Sequence, residues 1–183
     1  MAGLYIHIPF CASRCIYCGF YSTTQQSLQQ KYVDMLCHEI DLRASELFNL
    51  NTDSDNKLHT IYLGGGTPEQ LNQLLTYIYK VWGSLSDLKE LTIECNPDDI
   101  TEEFAVQLAD LKFNRVSMGA QTFSNERLKF LHRRHNREDI FQAVTRLRHA
   151  GIQNISIDLM FGFPNETIVD WQRDIREAID LGV

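Results

Sequence analysis

Five times along this chain a short apolar run ends in a glycine or a turn and gives way to a stretch with helical spacing. That alternation admits few folds, because strands interleaved with helices pair in parallel and carry the helices on the faces of the sheet. The first strand covers residues 3–10. Residues 25–50 follow with helix-period apolar positions at Leu28, Tyr32, Leu36 and Ile40, and 51–57 form a polar loop. The second strand, 58–63, runs into Gly64, Gly65 and Gly66, and Pro68 opens a helix reaching about Trp82. The third strand, 88–94, precedes a helix over 101–112 with Thr101 as its N-cap. The fourth, 114–121, leads through a short helical piece to a helix over 137–150, with Gly151 placed as its C-terminal cap. The fifth, 154–160, precedes a helix over 167–181 backed by Gly182. Right-handed crossovers curl five such units into part of a parallel (β/α) barrel, an α/β fold. The chain stops one residue after that last cap with no sixth strand, so residues 1–183 read as one domain that is truncated, its sixth unit missing.

The bulk numbers narrow the function classes. With 17 basic and 24 acidic side chains the net charge is -7, which argues against a nucleic-acid partner held by general basicity. No segment reaches the roughly 20 uninterrupted apolar residues of a transmembrane helix. The apolar start, residues 1–10, has no basic leader and carries His7 and Pro9, so it reads as a strand and not a signal peptide. A cytoplasmic location is expected. In that compartment five cysteines are not disulfide staples, and three of them fall within eight residues, which points to metal or cluster chemistry. The other two, Cys37 on the apolar face of its helix and Cys95 at a strand end, read as ordinary buried thiols.

Cys11, Cys15 and Cys18 stand in C-x₃-C-x₂-C spacing directly after the first strand. Three thiolates so placed reach three irons of a cubane cluster and leave the fourth iron without a protein ligand. The alternative is zinc, but structural zinc favours paired Cys-x₂-Cys units and needs a fourth protein ligand, which only His7 offers on paper. Each further residue cluster of chemical interest also lies at the C-terminal end of a strand, where α/β barrels form active sites.

The stretch from Tyr5 through Cys11, Cys15 and Cys18 to Gly19 and Phe20 resembles the radical SAM proteins of haem metabolism, the oxygen-independent coproporphyrinogen III oxidases and the HemW-type haem chaperones. The resemblance runs over the whole chain. It implies a [4Fe–4S] cluster on the three cysteines, S-adenosyl-L-methionine (SAM) chelated to the open iron, and a low-potential electron donor such as flavodoxin or ferredoxin. It also implies reductive cleavage of SAM to methionine and a 5′-deoxyadenosyl radical, and a C-terminal domain outside this chain.

The resemblance assigns further residues. Gly64, Gly65, Gly66 and Thr67, which by themselves indicate only a tight turn or close backbone approach, offer backbone groups to the amino group of SAM. Glu94, a carboxylate able to accept from an ammonium or a ribose diol, becomes a SAM contact. Gln121 and Asp158 hydrogen-bond the ribose, while Gly119 and Gly162 leave room for the nucleoside. Tyr17 packs against adenine. Arg133 binds the SAM carboxylate, for which a guanidinium suits by its two parallel charge-assisted bonds, and Arg134 reads as its solvated neighbour. Tyr5 and His7, alternating out of the first strand to one face, fall beside the sulfonium and near the substrate pocket as the catalytic candidates. The oxidases follow the third cysteine with glycine and a fourth cysteine, whereas Phe20 stands here. That departure favours a haem-binding chaperone, which hands haem to respiratory haem proteins, over oxidative decarboxylation of coproporphyrinogen III. The chaperones' haem signature is expected beyond residue 183.

Overall fold

The alternation of the sequence becomes one sheet in the computed structural model, which describes residues 2–46, 58–66, 70–83 and 88–183. In chain order the elements are β1 (Ala2–Ile8), α1 (Gln29–Arg43), β2 (Leu58–Gly65), α2 (Leu71–Trp82), β3 (Glu90–Cys95), α3 (Glu102–Asp110), β4 (Arg115–Gln121), α4 (Asn125–Phe130), α5 (Arg137–His149), β5 (Asn154–Leu159) and α6 (Ile168–Leu181). Single turns of 3₁₀ helix at Gln26–Leu28 and Pro97–Asp99 precede α1 and α3. The strands lie in the order β1-β2-β3-β4-β5, every pair parallel, and the sheet is not closed: it is the partial barrel that the βα alternation predicts.

Local chemistry sets the boundaries. β1 stops at Ile8, two residues earlier than the apolar run, because Pro9 has no N–H to give a ladder. Helix 25–50 begins later than its periodicity, at Gln29, and its predicted end, with the 51–57 loop, lies outside the described residues. Thr67 and Pro68 also lie outside them. Thr101 caps α3 through its side chain, accepting from the Phe104 N–H at 3.1 Å. Asn136 and Thr167 begin α5 and α6 with reciprocal capping boxes. Gly151 and Gly182 follow their helices at φ +98° and +74°, the left-handed region in which a side chain is strained.

The two faces of the sheet differ sharply. One carries Ile61, Leu63, Ile93, Val116 and Met118, all inaccessible, against the α2 stripe Leu71, Leu74, Leu75 and Ile78 and against Leu108, Ile140 and Val144. Each such side chain contributes about 1.5–3 kcal/mol by burial. On the other face the register sets Tyr5 beside Tyr62, His7 beside Gly64, Glu94 beside Ser117, and Ser117 beside Ser156. A parallel sheet packed on both sides reads as continuous apolar runs. Here the inner face is polar, so the partial barrel is lined for a ligand instead of being filled with aliphatic side chains. Among the described residues no helix is long and apolar enough to cross a membrane.

Candidate functional site

At the C-terminal ends of the strands the polar inner face opens into a cavity of about 320 Å³. Its wall on one side is the loop carrying Cys11, Cys15 and Cys18. Backbone bonds hold that loop at both ends: the Cys11 N–H donates to the Thr23 carbonyl at 2.9 Å, Thr23 N–H to Pro9 at 2.7 Å, and Ile16 N–H to Leu131 at 3.4 Å. All three cysteines are thiols without a disulfide between them, and all three line the cavity. Burial first, then the neighbouring Cys18 and Cys15, raises the Cys11 thiol above its ordinary range.

His7 steadies the loop from β1. Its Nε2 lies 2.8 Å from the Tyr21 carbonyl, which can only accept, so in the neutral ring Nδ1 is the acceptor and takes the Tyr5 hydroxyl at 3.1 Å. Both residues reach the cavity, and the contacts they make join β1 to the cysteine loop.

Arg133, in the loop between α4 and α5, reaches across the cavity. One terminal nitrogen donates to Asn96 Oδ1 at 2.8 Å and to the Gly119 carbonyl; the other lies 3.4 Å from Cys15 Sγ. Gly119 lines the cavity, and these side chains flank it: a Cβ there would stand 2.8 Å from Gln121 Nε2 and 3.0 Å from the Arg133 guanidinium. Gly162 has nothing within 4 Å of its would-be Cβ; its φ of +86° belongs to a turn. Arg134, next to Arg133, is exposed, the solvated neighbour expected from its place in the sequence. It pairs with Asp98 at 2.6 Å and Asp99 at 2.7 Å, which pins the Pro97–Asp99 turn. Tyr17 sits beside Cys15 and Arg133, and its phenol is pushed up to about 12, by burial first, with Arg133 opposing and Cys15 adding to the rise.

The glycine run divides by role. Gly65 lines the cavity at φ +99° and gives its N–H to Glu94 Oε2 at 2.7 Å. Gly64 and Gly66 stand behind it: a Cβ on Gly64 would meet the Tyr5 hydroxyl at 2.7 Å, and one on Gly66 would collide with the Phe10 carbonyl at 1.7 Å. With the Gly66 N–H bonded to Ile8 at 2.7 Å as well, the backbone groups left for a ligand's ammonium are carbonyls.

Gln121 ends β4 at φ +68°, beside the register shift that separates Met118 from it. Strain of this kind in a non-glycine residue concentrates at functional sites, and a bulge at a strand end re-aims a side chain. Asp158, at the end of β5, has its carboxyl raised by burial and then by the negative Glu94, with Arg115 opposing. A folded-state pKa above the unfolded one means that native stability is lost as pH rises through it. Asp158→Asn is therefore expected to be at least as stable as the wild type at neutral pH, the advantage vanishing below the ordinary carboxylate range. Thermal unfolding at two pH values checks this, and a variant less stable at neutral pH would refute it.

Eleven of the site residues assigned from sequence thus meet around one cavity, Tyr5, His7, Cys11, Cys15, Tyr17, Cys18, Gly65, Glu94, Gln121, Arg133 and Asp158, and Phe20, Cys95, Gly119 and Arg134 line it with them. Sequence reasoning passed over Tyr62, whose hydroxyl holds Glu94 at 2.7 Å, and the Arg115 and Ser156 pair behind it. Their signal was the period-two run of polar residues along the strands. Among the described residues no three His, Cys, Asp or Glu side chains are grouped to hold a single metal ion. Three thiols spread along one loop suit a cluster in which each sulfur takes its own iron.

Fold and site together define a partial (β/α) barrel with a cysteine-lined mouth, and residues 5–178 match the Radical SAM superfamily. The chain belongs to that superfamily. Among its relatives are the heme chaperone HemW of Bacillus subtilis, 37% identical over 99% of this chain and 48% of that protein, and the oxygen-independent coproporphyrinogen-III oxidase-like protein HemZ of the same organism, 31% identical over 98% of this chain and 37% of that protein. The solved structure of coproporphyrinogen III oxidase (HemN) from Escherichia coli superposes with a TM-score of 0.85 at 31% identity, over 98% of this chain and 42% of that one. The chain spans about half the length of the curated HemW relatives it matches.

Proposed function

We propose that this chain is the cluster- and SAM-binding core of a HemW-type haem chaperone. The observation that carries the cofactor reading is the convergence of the three cysteines, Arg133, Glu94, Gln121 and Asp158 on one cavity. Cys11, Cys15 and Cys18 hold a [4Fe–4S] cluster. When bound, cluster and SAM supply one-electron chemistry at the sulfonium; the chain itself supplies orientation and exclusion of water. The Gly65 side of the cavity and Glu94 take the ammonium of SAM, Gln121 and Asp158 the ribose hydroxyls, Tyr17 the adenine, and Arg133 the carboxylate by a charge-assisted pair. Thr67 belongs to the same assignment from sequence, outside the described residues. Tyr5 and His7 face the sulfonium and the substrate side.

Phe20 supports the chaperone over the oxidase. It lies on the cavity wall, 75% exposed, at the position where the resembled oxidases carry a fourth cysteine. The names of the curated relatives point the same way. The reading implies haem as cargo, held by a segment outside residues 1–183, respiratory haem proteins as recipients, and flavodoxin or ferredoxin as donor. It also implies a cytoplasmic location, where thiols stay reduced. The deciding experiment incubates the full-length, anaerobically reconstituted protein with SAM, a low-potential reductant and coproporphyrinogen III, and in parallel titrates it with haem. Tight haem binding without turnover is the expected result; formation of protoporphyrinogen IX would assign the oxidase instead.

A further inference from the structure

The inner face of the sheet carries a row of hydrogen bonds that none of the cofactor contacts requires. Arg115 on β4 donates from its guanidinium to Ser156 Oγ on β5 at 3.0 Å, and Ser156 donates to Ser117 Oγ on β4 at 3.3 Å. Nearer the cavity the Tyr62 hydroxyl on β2 donates to Glu94 Oε1 on β3 at 2.7 Å. A carboxylate oxygen can only accept in this pair, so the single proton of the hydroxyl is committed to Glu94.

We propose that Tyr62 is a positioning residue that fixes the Glu94 carboxylate as the acceptor for the ammonium of SAM. The proposal rests on the SAM-binding reading above and adds how the anionic contact is oriented. With Tyr62 on one oxygen and the Gly65 N–H at 2.7 Å on the other, Glu94 cannot rotate, and the lone pairs left over on both oxygens remain for the incoming cation. The Tyr62 phenol, pushed up to about 12 by burial and by Glu94, stays a donor at any working pH. Preorganisation of this kind contributes to affinity because the acceptor is ordered before the ligand arrives.

The test compares Tyr62→Phe and Ser156→Ala with the wild type in the full-length reconstituted protein. SAM is titrated against the EPR signal of the reduced cluster, with cluster content and thermal unfolding measured alongside. Tyr62→Phe, which deletes the donor and keeps the ring, is expected to weaken SAM about tenfold, the equivalent of about 1.4 kcal/mol. Ser156→Ala touches neither Glu94 nor the cavity wall and is expected to leave SAM affinity and cluster content unchanged. An analogue of SAM without its amino group should bind wild type and Tyr62→Phe alike. Equal SAM affinity in Tyr62→Phe, a matching loss in Ser156→Ala, or an equal loss with the des-amino analogue would each overturn the positioning role while leaving the cofactor assignment standing. A wild-type protein that carries its cluster and binds no SAM would overturn both.

Discussion

Cys15→Ser is expected to abolish the [4Fe–4S] cluster on anaerobic reconstitution with iron and sulfide, leaving a colourless protein with no reduced-cluster EPR signal. Of the three cysteines it is the one most closely held from outside the loop, with the Arg133 guanidinium 3.4 Å from its sulfur and the Tyr17 phenol beside it. Donors placed on a ligand sulfur favour the thiolate and tune the cluster it holds. Serine offers a far weaker ligand for iron, while the fold has little to lose, because Cys15 is only partly buried in a loop whose backbone bonds do not involve its sulfur. Thermal stability of the apo protein should therefore move by no more than about 0.5 kcal/mol. Iron analysis and EPR of the variant against the wild type decide the matter. A variant that retains its iron, or a wild type that takes one zinc and no iron, would remove the basis of the functional reading.

The second large effect is on stability. Asp174→Ala should destabilise the protein by about 3 kcal/mol, which for a chain of this size lowers Tm by roughly 6–12 °C. Asp174 of α6 is completely inaccessible, and its carboxylate accepts from Thr122 Oγ1 at 2.6 Å and from the Phe123 N–H at 3.3 Å. Alanine leaves both donors buried without a partner. Those donors stand immediately after Gln121, whose φ of +68° persists only while its surroundings hold it, so the loss also loosens the end of β4 that faces the cavity. Differential scanning calorimetry of wild type and variant measures the effect. A drop of less than 2 °C would show that the carboxylate is not what holds this turn.

The elements most readable in advance were those whose signals are local. The N-cap at Thr101 and the terminal glycines at 151 and 182 need only neighbours within one helical turn to act, and they stand where the sequence placed them. The cysteine triplet is local in the same sense. Boundaries moved where a single atom intervened, as at Pro9, whose missing N–H ends β1 early. Gly119 lines the cavity, but the side chains that flank it, Arg133 and Gln121, arrive from residues 14 and 2 positions further along. Arg134 is exposed as read, but the acids it pairs with, Asp98 and Asp99, lie 36 and 35 positions back, where no local pattern couples them.

From its residues alone this chain determined a parallel α/β layout, the identity of its cluster-ligand candidates and the strand ends at which chemistry had to sit, since each of these follows from short-range periodicity or spacing. Only the tertiary structure decided that Arg133 turns one nitrogen toward Cys15 and another toward Asn96, and that the Tyr62 hydroxyl meets Glu94. Such contacts depend on strand register and on helices crossing over the sheet, so they join positions tens of residues apart that no local pattern couples.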